Sequence, residues 1–284
     1  SVEEERYRLA VYKSNLKKIE LHNAQHLPWT MGVNEFADMT EDEFGFKFCG
    51  CAKDPKTRAA RSTPIYGDAP ERVDWREQGA VTPVKDQASC GSCWSFSTTG
   101  TVEGAYFVHS GKLVSLSEQQ LVDCATEPEY EARGCSGGWP WSVLGYVQKK
   151  GLCTEEDYPY HGKDEDCKDD KCTVAVQTAG EVQLPQGDEA SLANAVAMTP
   201  VSIVLDASAM QFYKDGIITK CSENINHAVL AVGYDTDKET GIKYWIVKNS
   251  WGENWGEKGY CRIEKDVGGM GRCAITYSSV YPTF

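Results

Sequence analysis

Apolar positions in the first part of the chain recur at helical spacing. Leu9, Tyr12, Leu16 and Ile19, with Asn23 extending the series, fall three and four apart among charged residues, which predicts an amphipathic helix over 2–23. Met31-Gly32-Val33-Asn34-Glu35-Phe36-Ala37-Asp38 then alternates like a short strand, and Thr40-Glu41-Asp42-Glu43 supplies a capping-box start for another short helix. Residues 49–70 lose the pattern. They run through Lys, Asp, Pro, Thr, Arg, Ala and Ser to Gly67-Asp68-Ala69-Pro70, the composition of an exposed, cleavable linker or of an ordinary connection between domains. Trp94, Phe96, Val102, Tyr106 and Phe107 predict a buried helix with Cys93 in its first turn, and further helices are expected over about 117–124 and 141–150. From about residue 181 the period changes to two. The stretches 200–205, 227–234 and 243–248 are β-branched and aromatic, as strands are. The pattern as a whole predicts an α+β fold: a mostly helical lobe at about 76–180, then a strand-rich, barrel-like lobe at about 181–284, with no internal repeat.

Charge and cysteine content narrow the function. A formal net charge of −13 argues against a nucleic-acid partner, which needs clustered Lys and Arg. It fits an acidic compartment as well as it fits a plain solvated surface. Twelve cysteines in 284 residues point to an oxidising, secretory-pathway origin. Zinc is disfavoured, because the tight pairs Cys49/Cys51 and Cys90/Cys93 have no matching second pair nearby. No run approaches the ~18 apolar residues of a membrane span. There is no N-x-[ST] sequon, no signal peptide and no initiator Met, and the chain is expected to be trimmed from a longer precursor.

The chemistry concentrates in Gln87-Ala88-Ser89-Cys90-Gly91-Ser92-Cys93-Trp94. A thiol is a useful nucleophile as thiolate, and its pKa falls at a helix N-terminus or beside an imidazole. Of the five histidines, His22, His26, His109 and His161 sit in helical or polar surroundings, whereas His227 heads a strand after Ser222-Glu223-Asn224-Ile225-Asn226. A lone histidine is more often structural. Asn249-Ser250-Trp251-Gly252, at the end of the next strand, raises its standing: an Asn carbonyl can orient an imidazole, and Trp251 can shield the pair from water.

The order Gln87, Cys93, His227, Asn249 resembles the papain family of cysteine proteases, whose nucleophile lies in a C-G-[SA]-C-[WY] string. Val73-Asp74-Trp75-Arg76, Gly134-Cys135-Ser136-Gly137-Gly138, Asn226-His227-Ala228-Val229 and Asn249-Ser250-Trp251-Gly252-Glu253-Asn254-Trp255-Gly256 agree with it, across residues 70–284. The resemblance implies a papain-like two-lobe fold. It makes Cys93 the nucleophile, His227 the general base and acid, and Asn249 the orienter. The Gln87 amide and the Cys93 backbone N–H would form the oxyanion hole. Ala88 stands where the family usually carries Gly, so a reshaped Gln87 loop is expected.

Glu4-x3-Arg8-x3-Tyr12-x2-Asn15-x3-Ile19-x3-Asn23 and Gly32-x-Asn34-x-Phe36-x-Asp38 resemble the two pro-segment signatures of cathepsin L-like enzymes, with Tyr12 where Phe is usual. They imply a zymogen: an inhibitory N-terminal helical pro-domain over 1–68 and a catalytic domain over 69–284. Residues from about 40 to 68 would run through the cleft against the substrate direction. Family pro-regions usually begin with one more helix, so this one reads as truncated at its start. Acid is expected to weaken contacts of Glu35, Asp38, Glu41, Asp42 and Glu43, with cleavage near 66–70.

Carried over by position, the family disulfides are Cys90–Cys135, Cys124–Cys167 and Cys221–Cys273. Cys153 and Cys172 have no counterpart there; a fourth bridge between them is expected, against the alternative of two free thiols. Cys261 is expected to be a buried free thiol, and Cys49 and Cys51 receive no role. The family S2 positions map to Trp139, Pro140, Val204, Ile225, Ala228 and Ser278, an apolar lining with an uncharged floor, which implies Leu, Phe or similar at P2. Gly91, Gly137, Gly138, Asn226 and Trp251 complete the expected substrate cleft.

No cathepsin B-like insertion and no cleft-blocking segment of the aminopeptidase relatives is visible, so an open cleft and endopeptidase activity are implied. No cofactor or metal is expected. The expected partners are protein and peptide substrates, the chain's own pro-segment and cystatin-type inhibitors, with a monomer in a lysosome, an acidic vacuole or the extracellular space. A non-catalytic relative that keeps the fold, and a disulfide-rich interaction module, are the competing classes.

Overall fold

The computed structural model describes residues 1–50 and 62–284. Cys51 and positions 51–61 of the expected linker lie outside the described residues. The chain opens with α1 (Val2–Asn23), capped by the Ser1 side chain, which accepts from the Glu4 N–H, and carrying Glu3, Glu4 and Glu5 in its first turn, where the helix dipole favours acids. A short strand β1 (Trp29–Met31) and helix α2 (Glu41–Phe48) follow. The capping box at α2 is present in full: Thr40 accepts from the Glu43 N–H, and the Glu43 carboxylate accepts from the Thr40 N–H. The alternating stretch 31–38 is a strand only at its start. Beyond Met31 it turns, because Asn34 folds back to accept from the Phe36 N–H and so closes a local loop instead of a ladder.

The pro-segment signatures serve to hold these pieces together. Asn15 donates to the Ala37 and Met39 carbonyls at 2.9 Å each, and Asn23 exchanges bonds with the Met31 backbone. Arg8 makes a bidentate pair with Glu43 at 2.7 and 3.0 Å and also donates to the Asp38 carbonyl. The first motif therefore binds the second, which explains their joint occurrence.

The remainder divides as the periodicity predicts. Strand β2 (Val73–Asp74) leads to helices α3 (Cys93–Ser110), α4 (Glu118–Cys124) and α5 (Pro140–Lys150), which form one lobe. Then come β3 (Gly180–Gln183), helix α6 (Glu189–Val196), β4 (Val201–Leu205), β5 (Tyr213–Ile218), β6 (His227–Thr236), β7 (Lys243–Lys248), β8 (Tyr260–Glu264) and β9 (Ser278–Thr283). The sheet runs β1-β5-β8-β7-β6-β4-β9-β3, with β2 paired to β6. All pairs are antiparallel except β5 with β8.

Two features join the pro-segment to the catalytic lobe. β1 extends the edge of the catalytic sheet at β5, and Ile19, Trp29, Phe36, Phe44 and Phe48 share one apolar core with the strand lobe. A second core, built on Trp94, Leu121, Val143 and Leu144, lies within the helical lobe. The bonds Cys90–Cys135, Cys124–Cys167, Cys153–Cys172 and Cys221–Cys273 are all formed. Cys49 and Cys261 are buried thiols outside them, and burial pushes both well up from the usual thiol range.

Candidate functional site

Cys93 is the first residue of α3 and fully buried, so its Sγ sits at the positive end of an 18-residue helix. His227, also fully buried, opens β6, and Asn249 follows β7, the neighbouring strand. His227 Nε2 lies 2.8 Å from Asn249 Oδ1, and that oxygen also accepts from the Ser250 N–H at 2.8 Å. An atom that accepts from a backbone N–H is the amide oxygen, so His227 Nε2 must carry the proton. With Nε2 committed to Asn249, Nδ1 is the nitrogen that faces away from this bond. Nδ1 is buried and has no hydrogen-bond partner among the described residues, which leaves it as the nitrogen able to take a proton. Trp251 stacks on the imidazole at 4.6 Å and 27°.

Gln87 is fully buried and pinned from both ends. Its N–H donates to the Ser250 carbonyl at 2.9 Å, and its Oε1 accepts from Ser250 Oγ at 2.6 Å. The second bond fixes the amide orientation and aims Nε2 at the cleft, where it donates to the Cys90 and Phe48 carbonyls at 2.8 and 3.1 Å. The Cys90–Cys135 bridge and the Gly91 N–H, donating to the Cys135 carbonyl at 3.0 Å, tie this loop to the segment that carries Gly137 and Gly138.

The expected S2 residues converge from three strands and a helix start. Val204 of β4 faces Ala228 of β6 on one side and Ser278 of β9 on the other, so these three form a row across the sheet. Trp139 and Pro140 begin α5, and Trp139, Val204 and Ala228 belong to one apolar cluster with Ile225 packed against it. Tyr277, 6.5 Å from Trp139 ring to ring, joins them and was not foreseen. The Asn226 side chain is committed elsewhere: its Oδ1 accepts from the Ala207 N–H.

The pro-segment occupies this site. The Phe48 carbonyl accepts from Gln87 Nε2 and from Trp251 Nε1, the Gly50 N–H donates to Cys93 Sγ at 3.1 Å, and the Gly50 carbonyl accepts from the Gly138 N–H at 2.9 Å. The Ala228 N–H also donates to Cys93 Sγ, at 3.4 Å. Phe36 and Phe44 meet Trp251 edge-on at 5.6 and 5.0 Å, and Phe48 stacks on Phe44 and lies tilted against Phe36. The tryptophan that covers the imidazole is thus itself covered by α2 and the turn before it. The sequence pointed to the cleft residues and to the occupying segment, but not to Gly50, Ser250 or this aromatic cluster. For Ser250 a signal was at hand, since it directly follows Asn249.

Behind the site lies a buried charge network. Lys85 pairs with Glu103 of α3 at 3.0 Å and with Glu118 of α4 at 2.7 Å, and Lys248, the residue before Asn249, donates to Thr82, which donates to Glu103. Burial pushes Lys248 down to about 8 and Glu118 up to about 7. Both lobes are joined through these four charges, so the approach of α3 to β7 is fixed directly below Cys93 and Asn249. Among the described residues, ligand atoms of Cys124, Cys167 and Asp169 come within 4.8 Å of one another, but the two sulfurs are bonded together and the set does not fit a metal.

The other histidines lie apart from the site. His109 stacks on Phe284, His161 contacts Glu165, and His26 is exposed; His22 is buried in the pro-segment, its ring tilted against Trp29 at 4.0 Å.

Comparisons with known proteins agree with this arrangement. Residues 69–283 match the model of papain family cysteine proteases, and residues 1–44 match the cathepsin propeptide inhibitor domain. Cathepsin L of Sarcophaga peregrina is 43% identical over 300 residues, covering 99% of this chain and 87% of its own. Human cathepsin L2 is 44% identical over 294 residues, covering 98% and 86%. Among solved structures, digestive procathepsin L 3 of Tenebrio molitor larval midgut superposes with a TM-score of 0.86 at 38% identity, covering 100% of this chain and 93% of its own. The ragweed pollen cysteine protease in its proform gives 0.90 at 38% identity, covering 98% and 88%. The chain belongs to the papain family of cysteine proteases and carries a cathepsin propeptide inhibitor domain at its N-terminal end.

Proposed function

We propose that the protein is the inactive precursor of an endopeptidase that cleaves through Cys93. The observation that carries this reading is the ordered set at the cleft: a thiol at a helix N-terminus, and an imidazole whose tautomer Asn249 dictates. His227 Nδ1 takes the thiol proton. The thiolate attacks the scissile carbonyl, and the developing oxyanion is held by Gln87 Nε2 and the Cys93 N–H. The imidazolium then protonates the leaving amine. Water, deprotonated by the same imidazole, hydrolyses the acyl-enzyme and restores the thiol. Gln87 is already preorganised for the oxyanion, since Ser250 fixes its amide and the Phe48 carbonyl oxygen occupies its donor.

The pro-segment inhibits by imitating a substrate with the wrong polarity. Over Cys93 it presents the Gly50 amide hydrogen, not a carbonyl carbon, so the thiol is hydrogen-bonded and not engaged in attack. Removal of this segment, with cleavage near 66–70, yields the enzyme.

Acid favours that removal, and the groups with resolved shifts differ in how they contribute. Arg8 holds Glu43 down at about 2, so the stabilisation from this pair is complete above the ordinary 4.5 and is lost progressively as pH falls from there to about 2, which is the sign acid release needs. Glu35 has the opposite sign: burial, aided by Asp86, raises its pKa, so acid relieves a cost and favours docking. His22 has the required sign. Burial lowers its pKa below 6.5, so the undocked state takes up the proton first and docking weakens as pH falls below about 6.5. Lys220 of the catalytic domain borders the same cavity as His22 and opposes its protonation, while Lys18 and Glu41, which also line it, pair with each other at 3.3 Å.

P2 specificity is apolar, supported by the Ala228–Val204–Ser278 row with its uncharged end. A P2-varied peptide library, read with processed enzyme and with a Cys93→Ala control, tests this function. Expected is cleavage of peptides with Leu or Phe at P2, abolished in the control. Cleavage by the control, or preference for a charged P2 residue, would overturn it. The acidic surface and cysteine content support an acidic or extracellular setting in the secretory pathway.

A further inference from the structure

One hydroxyl touches Gln87 and Ser92, the residue before Cys93. Tyr160 Oη donates to the Gln87 carbonyl at 2.8 Å and lies 2.6 Å from Ser92 Oγ. A phenol has one proton, and the Gln87 carbonyl can only accept, so Ser92 is the donor in the second bond. Ser92 is the N-cap of α3, yet its side chain makes no capping bond. Its hydroxyl is turned away from the helix and towards Tyr160.

The Gln87 loop needs such a tie. Ala88 sits at φ +50°, in the left-handed region that costs a non-glycine residue roughly 1–2 kcal/mol. The peptide linking Gln87 to Ala88 is restrained on one side by Asp86, whose Oδ1 accepts from the Ala88 N–H at 2.8 Å, and on the other by Tyr160 at the Gln87 carbonyl. The Tyr160 ring is set in turn by Phe96 of α3, edge-on at 4.8 Å, and its N–H by Glu155 at 2.8 Å. Burial raises the phenol well above its usual range, so it remains a donor at every working pH.

We propose that Tyr160 is a positioning residue for peptide hydrolysis: its hydroxyl locks the Gln87 loop to the N-terminus of the Cys93 helix and so sets the spacing of the two oxyanion donors. The proposal rests on the reading of Gln87 as an oxyanion donor. It goes beyond that reading, because Tyr160 touches neither substrate nor thiol.

The test uses acid-processed enzyme with Tyr160→Phe, which keeps the ring on Phe96 and removes only the hydroxyl. Loss of a whole oxyanion donor costs ~10²–10³ in kcat, and loosening one is expected to cost roughly tenfold. KM should stay within about twofold, and alkylation of Cys93 by iodoacetamide, which passes through no oxyanion, should be unchanged. Combined with Gln87→Ala, Tyr160→Phe should add nothing further. Ser92→Ala, which leaves Tyr160 in place, should give the same kcat-only pattern. An unchanged kcat in Tyr160→Phe, an equal fall in alkylation, or additivity with Gln87→Ala would overturn the proposal. If Gln87→Ala alone leaves kcat intact, the oxyanion reading itself fails and takes this proposal with it.

Discussion

A side chain at position 50 has no room. A Cβ built there would meet the Gly91 carbonyl oxygen at 1.9 Å, a backbone contact that cannot rotate away. Gly50 is therefore what lets the pro-segment lie flat on the cleft, with its N–H on Cys93 and its carbonyl on Gly138. Overpacking of this kind costs about 1–3 kcal/mol. Gly50→Ala is expected to make Cys93 of the intact precursor react about tenfold faster with a thiol reagent at neutral pH, measured by intact mass, with the fold retained. An unchanged rate would show that the strap is held from elsewhere. At this scale the sequence was legible where residues form local strings. Gln87, Cys93, His227 and Asn249 each lie in one. Gly50 and Tyr160 were not, because their meaning comes from contacts with residues 41 and 73 positions away, Gly91 and Gln87.

Helices were read more faithfully than strands, and the reason is physical. α1 and α2 announce themselves by period and by cap, whereas β1 is a three-residue strand that exists only because β5 offers it an edge. β3 and β5 are likewise made by their neighbours, and α6 sits inside a lobe whose period reads as strand. On the function proposed above, α1 also carries the acid response. His22 is buried against Trp29, with Nε2 3.3 Å from the Trp29 carbonyl, and its protonation belongs to the undocked state. His22→Gln removes that titration, so the pH midpoint for conversion of the purified precursor should move about half a unit towards acid. A midpoint shifted upward, or one that follows Arg8→Gln instead, would place the trigger in the carboxylates after all.

In the whole molecule, the two lobes meet at a cleft fixed from below by buried charges and closed from above by the pro-segment. The two-lobe division followed from the change of period near residue 181. That the pro-segment shares its core with the strand lobe did not, because amphipathic faces do not name their partner. The arrangement accounts for a protease that is fully assembled and yet covered: the imidazole is oriented, Gln87 is aimed, and the space belongs to Phe48, Cys49 and Gly50. The most direct measurement is labelling of Cys93 by an epoxide or vinyl sulfone peptide, located by mass spectrometry, on the precursor before and after acid incubation. Cys93 should be unlabelled in the intact chain and labelled stoichiometrically once residues up to about 68 are gone. Equal labelling of the intact chain, or none after their removal, would contradict the account.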